Sequence, residues 1–356
     1  MDYILSVLDN LILDKIWASV VPAAVFDQQV PWNTTKFPAA SSASATWLSM
    51  VSHLPHPSPD EFLVKNAEAP MYQTPSFLAQ FESPPLVPSA WPRSYIPRQL
   101  ISISIITLIG IHILYFLFAT LSYYFIFDHR MMKHPRFLKN QVRLEIMSSL
   151  KAFPGITLLT LPFFQAEVMG YSRLYDDPEK YGWTYLVLSV PLFLLVTDYC
   201  IYWIHRWLHH PILYKRLHKP HHKWIIPTPF ASHAFHFVDG YAQSFPYHMF
   251  IMIFPLHRAV YLVLFVLVNF WSIFIHDSDM ITGHALENII NGPAHHTLHH
   301  LYFTCNYGQA SFILYYFTWA DKAGGSYRKP ESEHDPLIEI LAAEKEKEKE
   351  KLGKAQ

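Results

Sequence analysis

The apolar residues of this chain are concentrated in four stretches. Residues 100–127 contain no charged side chain, and a helix needs only about 20 apolar residues to cross a bilayer. A second stretch, 146–166, is weakened by one lysine and two prolines, and a third covers residues 183–204. A fourth, 246–275, is interrupted at residues 255–258. The pattern therefore predicts several membrane-spanning helices.

The charged residues between these stretches predict how the helices are oriented. The segment 128–143 carries five basic residues against one acid, whereas 167–180 carries four acids against two basic residues. Because basic loops remain in the cytosol, 128–143 should be cytosolic and 167–180 lumenal. The third stretch then returns the chain to the cytosol. Histidine clusters lie on both sides of 246–275, up to His222 and from His296 onward. If they share one site, the chain between them must cross the membrane an even number of times or not at all. A hairpin bent at 255–258 satisfies this condition, whereas one continuous span does not.

The two ends of the chain differ from this central part. Residues 1–16 are mostly apolar but are interrupted by Asp2, Asp9 and Asp14. This pattern predicts an amphipathic helix that lies on a membrane or docks on the protein. With the Pro- and Ser-rich lead-in that follows, it forms a predicted N-terminal region, 1–98. The predicted membrane domain is 99–330, and residues 331–356 form a charged tail.

Composition agrees with a membrane protein and narrows the partners. Of 356 residues, 51% are hydrophobic and only 15% are charged, against roughly 25% charged in soluble domains. A net charge of −1 gives no support for a nucleic-acid partner, and two cysteines are too few for a disulfide scaffold. The fold class predicted is an all-α integral membrane protein with about four transmembrane helices and a cytosolic histidine-rich domain.

Histidine is concentrated in the same part of the chain, since 16 of its 22 histidines lie between His205 and His300. Eight form three tight clusters with spacings typical of metal ligands. The first cluster is His205 and His209, the second is His218, His221 and His222, and the third is His296, His299 and His300. A closed structural zinc site takes about four ligands, so eight imidazoles indicate two metal ions, each partly open to oxygen or substrate. Imidazole binds zinc, copper, iron and nickel, so the spacing does not choose the metal.

Four further residues are candidate catalytic residues. Asp198 and Tyr202 continue the helical stripe of His205 and His209, because residues three and four apart share a helix face. Asp198 is predicted either to accept a hydrogen bond from a ligand imidazole or to bond a neighbouring helix. The other two are His236 and His276, each a ninth metal ligand, a substrate-site donor or a structural residue.

Because His295 lies next to the third cluster, it is open which of the four histidines between 295 and 300 bind metal. It directly precedes the third cluster, after the turn signal Asn291-Gly292-Pro293. The spacing of His296, His299 and His300 repeats the HxxHH of the second cluster, which favours those three. The chain contains no HExxH, nucleophile-elbow or phosphate-loop motif, and no Asp or Glu lies inside the clusters.

At these clusters the chain resembles the fatty acid hydroxylase superfamily of membrane di-iron oxygenases, and within it the fungal sterol C5-desaturases of the lathosterol oxidase type. The likeness covers roughly residues 95–330. The segments that carry it are LHKPHHKWIIPTPFASHAFH (217–236), the following VDGYAQSFPYH, VNFWSIFIHD (268–277), HHLYF (299–303), NYGQ (306–309) and GGSYRKP (324–330).

The resemblance implies a cytosol-facing di-iron centre on a membrane stem in the endoplasmic reticulum. The eight clustered histidines would bind two iron ions, and O2 would be the oxidant. Electrons would come from NAD(P)H through cytochrome b5 and its reductase. The expected reaction removes the hydrogens at C5 and C6 of a Δ7-sterol taken from the membrane lipid, on the path to ergosterol. His236 and His276 would be family histidines whose role is open.

Two departures from the family pattern stand out. Phe237 occupies a position where the family usually has proline, and apolar residues 310–316 separate NYGQ from the following Phe317-Thr318-Trp319. Two alternatives also remain. A hydroxylase acting on a sterol, triterpenoid or fatty acyl chain would use the same histidines. A metal transporter is disfavoured because transporters place ionisable ligands near the membrane midplane, whereas these histidines gather beyond the ends of the apolar stretches.

Overall fold

The structure is a computed structural model that describes residues 1–23, 47, 49–56, 89–280, 292–308 and 319–354. The apolar segment 310–316 lies outside the described residues. The longer helices, in chain order, are α1 (Asp2–Leu8), α2 (Asp14–Val20), α3 (Ile96–Phe125), α4 (Gln141–Val168), α5 (Trp183–Leu208), α6 (Phe237–Ile253), α7 (Arg258–Phe274), α8 (Pro293–Tyr302), α9 (Trp319–Ala323) and α10 (Pro336–Lys354).

The all-α membrane class predicted from the sequence is confirmed. Within the described part of the chain, α3, α4 and α5 are long and apolar enough to cross a bilayer, at 30, 28 and 26 residues. The fourth apolar stretch is divided into α6 and α7, each of 17 residues, with the break at residues 254–257. Three full-length spans and a broken pair thus replace the predicted number of about four.

The chain divides into two compact units, of which the first comprises residues 1–107 and 161–171. In it, Leu5 of α1 is buried with Ile103 and Phe164 in one apolar cluster. Two of the acids that interrupt the apolar pattern of the N-terminus are paired with one arginine, since Arg98 donates to Asp9 at 2.8 Å and to Asp14 at 2.5 Å. Burial of Asp9 is therefore compensated by an ion pair.

The second unit comprises residues 108–160 and 172–356. One core cluster joins α5, α6 and α7 through Phe193, Phe250, Leu264 and neighbouring apolar residues. At the break between α6 and α7, Leu256–His257 pairs in parallel with Leu174–Tyr175, a two-residue bridge. Through this pairing, backbone groups at the break between α6 and α7 form hydrogen bonds with the loop that precedes α5.

The segment 224–236, between the second histidine cluster and α6, is anchored to α3 and α4. Tyr115 of α3 donates to the carbonyl of Phe230 at 2.9 Å, and Gln141 donates to the carbonyl of Ile226 at 2.7 Å. Glu145, buried in α4, accepts from Gln141 and from the Thr228 hydroxyl. This anchoring fixes the position at which the chain leaves the second cluster.

The C-terminal helix α10 is attached at one end only. Ile340 is buried against Phe127 and Met131, and Arg136 donates to Glu339 at 2.7 Å. From residue 344 onward the described side chains are exposed, as expected for alternating glutamate and lysine.

Candidate metal centre

Three elements bring the clustered histidines together. The last turn of α5 carries His205, and His209 is the C-cap residue that directly follows the helix. A single π-turn, Tyr214–His218, then reverses the chain and leads into the second cluster. Helix α8 carries the third cluster along one and a half turns. The helical continuation of α5 beyond its apolar part places the first pair of imidazoles just past a membrane-spanning segment.

Five histidines converge in a first group, in which one nitrogen from each lies within 4.8 Å of the others: His205, His209, His218, His222 and His299. Their Nε2 atoms face one another. His205 Nε2 lies 3.0 Å from His218 Nε2, and His222 Nε2 lies 3.1 Å from the Nε2 atoms of both His209 and His218. His299 Nε2 closes the group at 3.1 Å from His222.

Four histidines form a second group on the same criterion: His221, His276, His296 and His300. His296 Nε2 lies 3.0 Å from His276 Nε2 and 3.1 Å from His300 Nε2. His276 Nε2 lies 3.4 Å from His221 Nε2. The structure thus brings together all eight clustered histidines and adds His276, which follows α7, to the second group.

The HxxHH spacing explains how the clusters are divided between the groups. In each cluster the two histidines four residues apart enter the same group, His218 with His222 and His296 with His300. The remaining members, His221 and His299, enter the opposite groups. Residues four apart share a face of a helical turn, whereas adjacent residues point in different directions.

The other ring nitrogen of several histidines is held by an oxygen acceptor. His205 Nδ1 donates to the carbonyl of Tyr307 at 2.8 Å, and His299 Nδ1 donates to the carbonyl of Cys305 at 2.7 Å. In the second group His300 Nδ1 donates to the carbonyl of Trp224 at 3.0 Å, and His276 Nδ1 donates to that of Ser272 at 2.5 Å. A neutral imidazole has one N–H, so these four expose a lone pair at Nε2.

The donor set fits a bound cation. His218 Nδ1 lies 2.8 Å from the Asp239 carboxylate, so the Nε2 atoms of His205 and His218 both present lone pairs at 3.0 Å. A cation between them removes that repulsion. Two nitrogens about 2.1 Å from a common ion and at right angles to each other lie about 3.0 Å apart, which matches the observed spacing. Each group therefore fits one metal ion.

The electrostatics keep the imidazoles in the form that metals bind. Burial, reinforced by neighbouring histidines, holds the pKa values of His222, His296 and His299 well below their ordinary range. Burial and His218 lower the pKa of His209 to about 2. These side chains are therefore neutral at physiological pH, with lone pairs free to coordinate.

Asp239 is a residue of this centre that the histidine spacing does not indicate. Its carboxylate is fully buried, lies 2.8 Å from His218 Nδ1 and accepts from Gln243 Nε2 at 2.7 Å. A carboxylate in this position orients a ligand imidazole and raises its basicity. One signal could have identified it, because Asp239 is the single acidic residue of the sequence between positions 199 and 276.

Comparison with known proteins agrees with this geometry. Residues 190–325, which contain both histidine groups, match the fatty acid hydroxylase family model. The chain is 56% identical over 259 residues to the Delta(7)-sterol 5(6)-desaturase ERG3B of Gibberella zeae, covering 73% of this chain and 78% of that protein. It is 56% identical over 254 residues to the lathosterol oxidase of Homo sapiens, covering 71% and 83% of the two chains. The chain belongs to the sterol 5(6)-desaturase family.

A third relative shows that the family likeness extends toward the N-terminus. The Delta(7)-sterol 5(6)-desaturase erg3A of Aspergillus fumigatus is 45% identical over 335 residues, covering 94% of this chain and 87% of that protein. No solved structure matches. The resemblance to this desaturase family that was drawn from the histidine clusters is thereby confirmed.

Tyr202 of this desaturase-family chain belongs to a buried network behind the first histidine group. Its hydroxyl accepts from Arg206 at 2.6 Å and lies 3.2 Å from Ser326 Oγ. Ser326 in turn donates to Asp321 at 2.8 Å, and Asp321 accepts from the backbone N–H of Tyr307 at 2.8 Å. Since the carbonyl of Tyr307 holds His205, the network fixes the orientation of that imidazole.

The remaining predicted residues lie outside both groups. Asp198 is buried on α5, and the Asp239 carboxylate lies 2.8 Å from His218 Nδ1. His236 caps the N-terminus of α6, where its Nδ1 accepts from the N–H of Val238 at 3.3 Å and its ring stacks on Phe237. His295 Nε2 lies 3.7 Å from Asp321, which directs it away from the metal groups. The catalytic roles of Asp198, Tyr202 and His236 stay predictions.

Gly324 supplies a test of the Tyr202 network. A Cβ at this position would overlap Tyr202 Oη and lie 2.6 Å from Arg206 Nη1. Gly324→Ala is expected to cost about 1–3 kcal/mol, because overpacking displaces buried hydrogen-bonded groups. The measurement is thermal unfolding in detergent. Gly110→Ala, where a Cβ meets nothing within 4 Å, is the matched control; an equal melting temperature in both variants would contradict the close packing around Tyr202.

Proposed function

We propose that this protein is an O2-dependent Δ7-sterol 5(6)-desaturase that removes the hydrogens at C5 and C6 and forms a 5,7-diene. The observation that carries the proposal is the pair of histidine groups, the first of which includes His205 in the last turn of α5, in a chain 56% identical to a fungal sterol desaturase. The sterol is a membrane lipid, and the three membrane-capable helices support a membrane protein that meets this substrate in the bilayer. Its product is an intermediate of sterol biosynthesis.

The metal proposed is iron, with His205, His209, His218, His222 and His299 holding one ion and His221, His276, His296 and His300 the other. Imidazole nitrogen suits iron as well as zinc and copper, so the choice rests on the proposed reaction. Bound iron supplies the redox chemistry with O2 that breaking an unactivated C–H bond requires. The uncharged, all-imidazole donor set leaves each ion its full positive charge.

The protein's own residues orient and protect this centre. Oxygen acceptors on Nδ1 of His205, His276, His299 and His300 hold these rings in one tautomer and one orientation. The clustered histidines are buried except for His209, which is half-buried, so bulk water has limited access. Exclusion of water protects a reactive oxidant from side reactions. Preorganised ligands of this kind avoid reorganisation during turnover.

We place the protein in the endoplasmic reticulum membrane with the histidine groups in the cytosol. The basic character of residues 128–143 supports that orientation, since basic loops remain on the cytosolic side. Electrons would then come from NAD(P)H through cytochrome b5 and its reductase, which work at the same face.

The test is expression in a yeast strain that lacks its own sterol C5-desaturase, followed by sterol profiling. We expect 5,7-dienes to appear, identified by their ultraviolet absorption and mass. A variant lacking His222, which belongs to the first histidine group, is the inactive control. Unchanged Δ7-sterols beside well-expressed, membrane-inserted protein would contradict the proposal, and an accumulating hydroxysterol would identify a hydroxylase instead.

A further inference from the structure

A lysine-rich pocket opens beside the first histidine group. Its volume is about 510 Å³, and it is lined by Tyr214, Lys215, Lys219, Pro220, His222, Lys223 and Phe303. The three lysines recur at every fourth position and are exposed, whereas His222 is buried. The pocket therefore connects a cationic rim at the surface with one of the candidate metal ligands.

No acidic residue lies near this rim in the sequence. From position 199 to 238 the sequence contains five basic residues and no acid. Among the described residues, Lys215 and Lys219 form no ion pair, and Lys223 lies over the Trp224 ring at 4.8 Å. Like charges four residues apart repel, so the cluster raises the free energy of the isolated protein. An acidic partner would lower that free energy and would be attracted by the summed field.

Aromatic rings line the pocket between the lysine rim and the first histidine group. The ring of Phe303 lies 4.8 Å from that of His222, measured between centroids. The ring of Tyr214 lies 5.9 Å from that of His222 and 5.4 Å from that of His209. A partner bound to the lysines is thus separated from the first histidine group only by the side chains of Phe303 and Tyr214, which contact that group.

The reaction proposed above requires such a partner. Removing two hydrogens from the sterol supplies two electrons and two protons, while reducing O2 to two waters consumes four of each. Two further electrons must come from a reductant and two further protons from solvent. A one-electron carrier delivers its electrons in two encounters, so it must dock close to the metal groups and leave again. Fast, reversible docking is what electrostatic steering provides.

We propose that Lys215, Lys219 and Lys223, with the pocket between them, form the docking surface for an acidic one-electron carrier protein that reduces the centre beside His222. The proposal rests on the proposed function, which makes the chain a consumer of electrons. Anionic lipid headgroups could also bind lysines, but a lipid site has no need of a pocket that reaches a buried candidate ligand.

The experiment compares two triple variants of the full chain in lipid nanodiscs. K215E/K219E/K223E reverses the rim, and K345E/K347E/K349E makes the same charge change on exposed lysines of α10. The carrier is the soluble haem domain of cytochrome b5. We expect the rim variant to raise KM for the carrier by about tenfold or more and to lose its dependence on ionic strength. The α10 variant should match the unmodified protein.

Four measurements distinguish carrier docking from other effects of the substitutions. Turnover driven by dithionite through a small mediator, and iron content, should stay within about twofold in the rim variant, because rim charges change association more than chemistry. K215Q/K219Q/K223Q should shift KM in the same direction by less. An unchanged KM, or an equal loss of dithionite-driven turnover, would overturn the docking surface. So would a selective loss of binding to phosphatidylserine vesicles with carrier kinetics unchanged.

Direct titration of the carrier separates this proposal from the proposed function. Binding to the nanodisc protein needs no turnover. If the unmodified chain forms no 5,7-diene yet binds the carrier, and K215E/K219E/K223E does not, the desaturase assignment fails while the docking surface stands. If sterol is desaturated but both triple variants bind the carrier equally, the docking surface fails alone.

Discussion

His299→Ala is expected to lose bound iron and desaturase activity together. His299 is fully buried, its Nδ1 is held by the carbonyl of Cys305, and its Nε2 lies 3.1 Å from that of His222. Alanine removes one nitrogen from the first group and leaves a cavity that no other side chain of the group fills. We expect at least about a 100-fold fall in activity, since even residues that only orient a ligand cost 10–100-fold. Iron per protein and 5,7-diene formation are the two measurements.

His210→Ala is the matched control. His210 is exposed, follows His209 directly and belongs to neither histidine group. Its removal should leave iron content and activity unchanged. Full iron content and activity in His299→Ala would exclude His299 as an essential ligand. The assignment of the histidines to two metal-binding groups would then be wrong.

Asp239→Asn is expected to weaken iron binding about 10–100-fold without unfolding the protein. The substitution preserves shape and polar character but removes the negative charge that His218 Nδ1 faces at 2.8 Å. A weaker acceptor leaves the imidazole less basic and less firmly oriented. The measurement is competition for iron with a chelator, accompanied by thermal unfolding to show that the fold is retained.

Asp198→Asn tests which carboxylate orients a ligand imidazole. The sequence indicates Asp198 for this role, and the structure indicates Asp239. Asp198 lies on the helix of His205, one turn before Tyr202. If Asp198→Asn weakens iron binding and Asp239→Asn does not, the orienting role belongs to Asp198 and the assignment to Asp239 is wrong.

The parts of the fold that depend on local sequence were predictable. Span positions followed from apolar runs, as with 183–204 against the observed Trp183–Leu208. The break in the fourth stretch followed from the interruption Pro255-Leu256-His257-Arg258, and the family followed from the histidine segments. The predicted sterol 5(6)-desaturation is supported by named relatives at 45–56% identity.

The parts that depend on tertiary contacts were not predictable in the same way. Helix α4 begins at Gln141 rather than near 146, because Glu145 is buried there and bonded by Thr228 from a distant loop. The pairing of Asp239 with His218 joins residues 21 positions apart across a turn. The contact of Tyr307 with His205 spans 102 positions. No periodicity within a short window encodes such distances.

The assignment of neighbouring residues to opposite groups has a consequence for how substitutions affect the two groups. His221 and His222 belong to different groups, and so do His299 and His300. A single peptide bond therefore links the two histidine groups at two places, and a shift of the backbone at either place moves members of both groups. We infer that the two groups are coupled through the backbone: a substitution that displaces His299 should also disturb His300, and with it the geometry of the second group.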